Sequence, residues 1–106
     1  MSDVVIQWMG GRGQALAIST ASGTNSSALP ASASIVRLVS SVDCLIEFGP
    51  DFSASNSTGG YLVAFTPEYI RIGGNPADGS ANASGIKITA LASSAAGTLW
   101  IKPCVD

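Results

Sequence analysis

The sequence predicts an all-β protein, an antiparallel β-sandwich of jelly-roll-like form, and three observations carry that prediction. Eight short strand patterns recur along 106 residues, each bounded by turn residues. No window combines a helical period with helix caps. Ser, Thr, Asn and Gly fill the intervals, where they supply turn chemistry and not core. The length is that of one domain, with an N-terminal arm over 1–19 and the sandwich over 20–106.

Taken in order, Val4-Val5-Ile6-Gln7-Trp8 reads as a first strand and Met9-Gly10-Gly11-Arg12-Gly13 as a flexible elbow. Gln14 to Ser19 follows as a half-buried strand with Leu16 and Ile18 on one face. Thr20 to Ser32 is too polar to bury a core and is expected to run over the surface. The centre of the chain is the pair Ser34–Ser40 and Asp43–Gly49. Val36, Leu38, Cys44, Ile46 and Phe48 are expected inward. The break Ser41-Val42 is short, so the two strands are expected to form a hairpin that brings Arg37 near Glu47 on the outer face.

Pro50 to Gly60 reads as a long loop and Tyr61 to Phe65 as a strand. Pro67 cannot donate to a ladder, so it marks an edge, a bend or a strand start. Tyr69 to Ile72 is strand again, and Gly73 to Ser80 is rich in turn residues. Gly85 to Leu91 places Ile86 and Ile88 inward, and Ala92 to Gly97 turns the chain. The closing strand, Gly97 to Pro103, alternates Leu99 and Ile101 on one face with Trp100 and Lys102 on the other.

Composition narrows the function classes. Charged residues make up 11% of the chain, against about 25% in an average soluble domain. A surface solvated mainly by small neutral polar groups adheres readily to other protein surfaces, which points to life within an assembly, with a monomeric β domain of Ser- and Ala-rich composition as the alternative. Net charge is −2, and the five basic residues (Arg12, Arg37, Arg71, Lys87 and Lys102) are scattered. No stripe for a phosphate backbone forms, so nucleic acid is not an expected partner. No apolar run approaches the roughly 20 residues of a membrane-spanning helix, and no secretory signal pattern opens the chain. Neither a membrane nor an export route is expected.

Chemistry is sparse. The absence of histidine removes Ser-His-Asp and Cys-His nucleophile systems and most zinc sites. Asp43 and Glu47, four apart on one strand, lie about 13 Å from each other at ~3.3 Å per residue, too far for a retaining acid–base pair. Asn75-Pro76-Ala77-Asp78-Gly79 lacks the alternating acidic ligands of a calcium loop. Gly10-Gly11-Arg12-Gly13 opens no helix, so it is a poor phosphate cradle. The N-x-S/T matches at Asn25, Asn56 and Asn82 are expected by chance in such a sequence. No catalytic residue, metal or cofactor is expected. Cys44 and Cys104 are read as free thiols, with a disulfide between them as the alternative.

Binding residues remain. Trp8 and Trp100 are natural anchors for a subunit contact, because Trp is enriched at interface hot spots, or else they complete the protein's own core. Val4, Ile6 and Trp8 give the arm apolar surface, and the glycines beside Arg12 allow it to swing. The arm therefore either clamps a neighbouring subunit or completes its own sheet. Val4, Ile6, Trp8, Arg12 and Trp100 form the candidate partner-binding set. Tyr61 and Tyr69 either stack on a sugar or cap the sandwich.

Part of the pattern resembles a known group. Ala33-Ser34-Ile35-Val36-Arg37-Leu38-Val39 is followed by Val42-Asp43-Cys44-Leu45-Ile46-Glu47-Phe48-Gly49-Pro50 and a loop of small residues. Thr66-Pro67-Glu68-Tyr69-Ile70-Arg71-Ile72 and Gly97-Thr98-Leu99-Trp100-Ile101 come next. In that order, over about Thr20 to Pro103, the chain resembles small virion proteins of tailed bacteriophages. The resemblance implies a compact β-sandwich without enzymatic activity, carried on the particle. Its expected role is capsid decoration, in which a homo-oligomer binds the major capsid protein or other virion subunits and cements the shell. A tail or head–tail accessory protein and a carbohydrate-binding host-contact module are the alternatives.

Overall fold

A computed structural model describes residues 6–49, 59–72 and 85–105. These residues form nine strands and no helix. In chain order they are β1 (Gln7–Trp8), β2 (Gln14–Ile18), β3 (Thr24–Asn25), β4 (Ile35–Ser40) and β5 (Cys44–Gly49). Then come β6 (Gly60–Leu62), β7 (Glu68–Arg71), β8 (Lys87–Ala92) and β9 (Gly97–Val105).

Two antiparallel sheets stack. One runs β1-β9-β4-β7, with β2 continuing the β1 edge along β9, and the other runs β3-β8-β5-β6. The order encodes a simple rule. β2 pairs with β9, β3 with β8, β4 with β7 and β5 with β6, so the chain closes as one nested antiparallel ribbon. Rolling that ribbon joins β4 to β9 and β5 to β8 and produces the two sheets. This is the jelly-roll arrangement.

The central pair departs from the expected hairpin. β4 lies between β9 and β7 in one sheet, and β5 lies between β8 and β6 in the other. The break Ser41-Val42-Asp43 is a crossover between layers. Arg37 faces Lys102 and Tyr69 in the ladder, and Glu47 faces Thr89, so Arg37 and Glu47 do not meet. Alternation alone allows either arrangement, because a strand in a hairpin also keeps one edge free for a second neighbour. The pairing of β4 with β9 and β7, and of β5 with β8 and β6, decides between them.

The inward alternation nevertheless holds. Val36, Leu38, Cys44, Ile86, Ile88, Leu99 and Ile101 are buried in one core between the sheets, with Ile46 and Leu62. Phe48 points the expected way but is only half-buried against that core. Leu45, on the opposite face of β5, is buried as well. Tyr61 to Phe65 is strand only as far as Leu62, and Val63 to Phe65 turn the chain.

The segment Thr20 to Ser32 is not purely a surface run. It contains β3, and Ser26 and Leu29 are buried. Ser26 extends the sheet with its side chain: its N–H donates to Ile88 O at 2.8 Å, and its Oγ accepts from Ile88 N–H at 2.9 Å. Leu29 N–H donates to Ile86 O at 2.8 Å. Periodicity misses this because the buried residues hold the ladder through single contacts and not through alternation.

Cys44 and Cys104 are both free and buried. Cys44 belongs to the inter-sheet core, whereas Cys104 lies on the other face of its own sheet, in register with Ile35 and Trp8. Burial pushes both thiols up from their ordinary pKa. Of the expected loop Pro50 to Gly60, Gly60 already belongs to β6, while residues 50–58, the loop Gly73 to Ser80 with the turn Asn75–Gly79, and Asn82 lie outside the described residues, as does Asn56.

Candidate partner-binding face

The site lies on the outer face of the sheet that contains β9. Along β9, Leu99 and Ile101 are buried in the core, so Trp100 and Lys102 are turned away from it. The ladder places Val39 beside Trp100 and Arg37 beside Lys102 on that same face. Tyr69 flanks Arg37 on its other side.

The first part of the chain frames this row. Trp8 pairs with Cys104 and Ala15 pairs with Trp100, both along the same edge of β9. Between them the chain leaves the ladder at Gly10 to Gly13, turning where Arg12 N–H donates to Met9 O at 3.3 Å. Gly11 sits at φ 73°, the left-handed region that glycine enters without strain. Gly13 runs alongside Lys102: a Cβ there would lie 3.4 Å from Lys102 Cδ, an ordinary van der Waals contact.

A groove of about 410 Å³ results, walled by Trp8 and Trp100 and floored by Ala15, Val39, Arg37 and Lys102. The two indoles are 54% and 43% exposed, a large apolar area left in water by a protein with a complete core elsewhere. Alanine opposite Trp100 is too small to cover it. The Trp8 wall is held in place: its Nε1–H donates to Tyr69 Oη at 3.3 Å, and the Arg37 guanidinium lies 5.1 Å from the ring centroid. Lys102 Nζ lies 6.0 Å from the same ring. At these distances the cations interact with the negative face of the indole.

Of the sequence-derived set, the structure brings Trp8 and Trp100 together as the two walls. Ile6 is half-buried just before β1, and Arg12 is exposed at the tip of the glycine excursion, outside the groove lining. Val4 lies outside the described residues. Gln7 and Trp8 pair with the protein's own β9, so this part of the arm completes its own sheet. Sequence reasoning missed Arg37 and Lys102. Both sit at outward positions of strands whose alternation was legible, but their adjacency depends on the β4–β9 pairing.

The tyrosines are engaged in contacts of their own. Tyr61 Oη donates to Asp43 Oδ2 at 2.8 Å, while Asp43 Oδ1 accepts from Ala64 N–H at 2.8 Å. The Ala64 N–H first, and then the Tyr61 hydroxyl, hold the Asp43 carboxyl below its ordinary value. This clasp shapes the turn after β6, where Phe65 takes φ 57° and its N–H donates to Ser40 O at 2.7 Å. Tyr61, Val63 and Phe65 are left exposed around it.

Among the described residues no three of His, Cys, Asp and Glu gather to hold a metal ion. Comparison of the chain with protein-family models, with curated proteins and with solved structures finds no match. Fold and site together define a jelly-roll β-sandwich with an aromatic and basic groove on one sheet.

Proposed function

We propose that this protein is a structural component of a tailed-bacteriophage virion, a decoration protein that binds the assembled capsid and cements it. The observation that supports this reading most is the outer sheet face, where Trp8 and Trp100 stand exposed around Arg37 and Lys102. Exposed tryptophans on a rigid sheet are the residue type that dominates protein–protein binding energy. The jelly roll is an architecture of viral capsid domains and lectins alike, which supports the class by analogy of fold alone. The resemblance of the segments around Arg37, Asp43, Pro67 and Gly97 to virion proteins points the same way.

The mechanism is mass action. A protein that binds the assembled shell and not its dissociated subunits stabilises the shell by its binding free energy, about 2.7 kcal/mol per site at a free concentration 100 times Kd. The carbohydrate alternative has less support. Tyr61 is clasped to Asp43, Tyr69 accepts a bond from Trp8, and the groove offers few acceptors for sugar hydroxyls.

The test is sedimentation of the purified protein with expanded empty shells of the phage that encodes it. Saturable co-sedimentation, together with a raised disruption temperature of the decorated shells, is expected. Protein left wholly in the supernatant, with shells no more heat-resistant than before, overturns the reading.

A further inference from the structure

Arg37 and Lys102 are direct cross-strand partners on an exposed sheet face. Like charges placed opposite each other in a ladder are destabilising. No carboxylate of the described residues pairs with either one. The chain as a whole carries net −2 with five basic residues in total, so two cations side by side are not a by-product of a basic surface. Trp8 holds the guanidinium in position from one side, and Trp100 leaves an uncovered indole across the groove. The groove thus offers a pre-positioned pair of cations flanked by apolar surface.

We propose that this groove binds an acidic segment of a protein partner: a glutamate or aspartate carboxylate between Arg37 and Lys102, with the neighbouring apolar side chain against Trp100. The proposal deepens the reading above and rests on its premise that the partner is a protein. A guanidinium and a carboxylate form paired charge-assisted hydrogen bonds, and the incoming anion also relieves the repulsion between the two cations. An acidic sugar has the same charge but fits less well. Sugar hydroxyls need acceptors, and no carboxylate lines the groove. Its one amide, Gln14, already accepts from Ser27 N–H at 2.9 Å and donates to Ser27 O at 3.2 Å.

The experiment titrates the intact protein with a blocked peptide of alternating glutamate and leucine. Controls are its glutamine-for-glutamate copy and glucuronic acid. Both tryptophans of the chain line the groove, so intrinsic fluorescence reports its occupancy. Saturable binding of the acidic peptide is expected, weakened at least about fivefold in the glutamine copy, in glucuronic acid and on raising salt. Lys102→Gln is expected to lose about fivefold in peptide affinity while melting close to the wild-type temperature, because relief of the like-charge pair offsets the lost contact with the Trp8 ring. Arg37→Gln serves as the second variant, with the same loss of affinity.

Equal binding of both peptides, no saturable change up to millimolar peptide, or glucuronic acid matching the acidic peptide overturns the proposal. Shell binding separates the two readings. Shells that bind Lys102→Gln as well as wild type overturn the acidic-segment assignment and leave the virion role standing. Peptide binding by a protein that no shell retains leaves the groove assignment standing and removes the virion role.

Discussion

Asp43 joins three parts of the chain through one carboxylate and one carbonyl. Its side chain accepts from Tyr61 Oη and Ala64 N–H, and its backbone O accepts from Ser93 N–H at 3.0 Å and from Ser93 Oγ at 3.1 Å. The side-chain bonds favour the ionised form, so its folded pKa lies below the unfolded value. The stability this contributes is complete above the ordinary carboxylate value, about pH 4, and drains away as pH falls through the depressed folded value. Melting temperature measured from neutral pH down into this acid range is expected to fall faster for wild type than for Asp43→Asn. Parallel curves for the two proteins would show that Asp43 contributes nothing to the acid limb. Ser26 shows the same logic without charge. Its hydroxyl accepts the N–H of Ile88 inside the core, a group that would otherwise be buried without a partner.

At the level of elements, the N-terminal strand decides what the groove is. β1 is two residues long, yet it seats Trp8 beside Arg37 and in register with Cys104. Cys104 is fully buried even though it lies on the outer face of its sheet. Deletion of residues 1–9 is therefore expected to lower the melting temperature and to let Cys104 react with a thiol reagent in the native state. Cys44, between the sheets, is expected to stay unreactive until unfolding. Measuring the number of thiols modified before denaturation checks this. An unchanged melting temperature with Cys104 still protected would show that the arm has no part in its own sheet. The start of β9 is constrained from another direction. A Cβ at Gly97 would lie 2.6 Å from Ser41 Oγ and 2.7 Å from Val42 Cγ2. A residue with a side chain at position 97 would therefore force the start of β9 away from the crossover that separates β4 from β5.

The whole molecule is built from pairs distant in sequence. β2 with β9 and β3 with β8 join the outer parts of the chain, and only β5 with β6 is local among the nested pairs. Each outer pairing incurs the loop-closure entropy of everything inside it before its own contacts form. Folding is expected on the millisecond-to-second scale of non-local β proteins, about the slow end of the two-state range. Stopped-flow refolding monitored by tryptophan fluorescence measures this, and microsecond folding would contradict it. Both tryptophans meet on one face because β1 and β2 pair along the same edge of β9, and Trp8 and Trp100 both occupy outward positions there.

Much of the architecture was legible in the residues themselves. Alternation at Val36–Leu38, Ile86–Ile88 and Leu99–Ile101 set which side chains enter the core, because a strand has only two faces and one of them must leave water. The small polar intervals and the lack of helical periods set the all-β class. Alternation identifies a face but not a neighbour, and that is where the tertiary structure decided. It sent β4 and β5 to different sheets, β4 between β9 and β7 and β5 between β8 and β6, a choice that alternation leaves open. It buried Leu29 in a segment of loop composition. It set Arg37 beside Lys102 and closed Trp8 and Trp100 around them, because strand pairing across the whole chain, and not local sequence, determines which outward residues become adjacent.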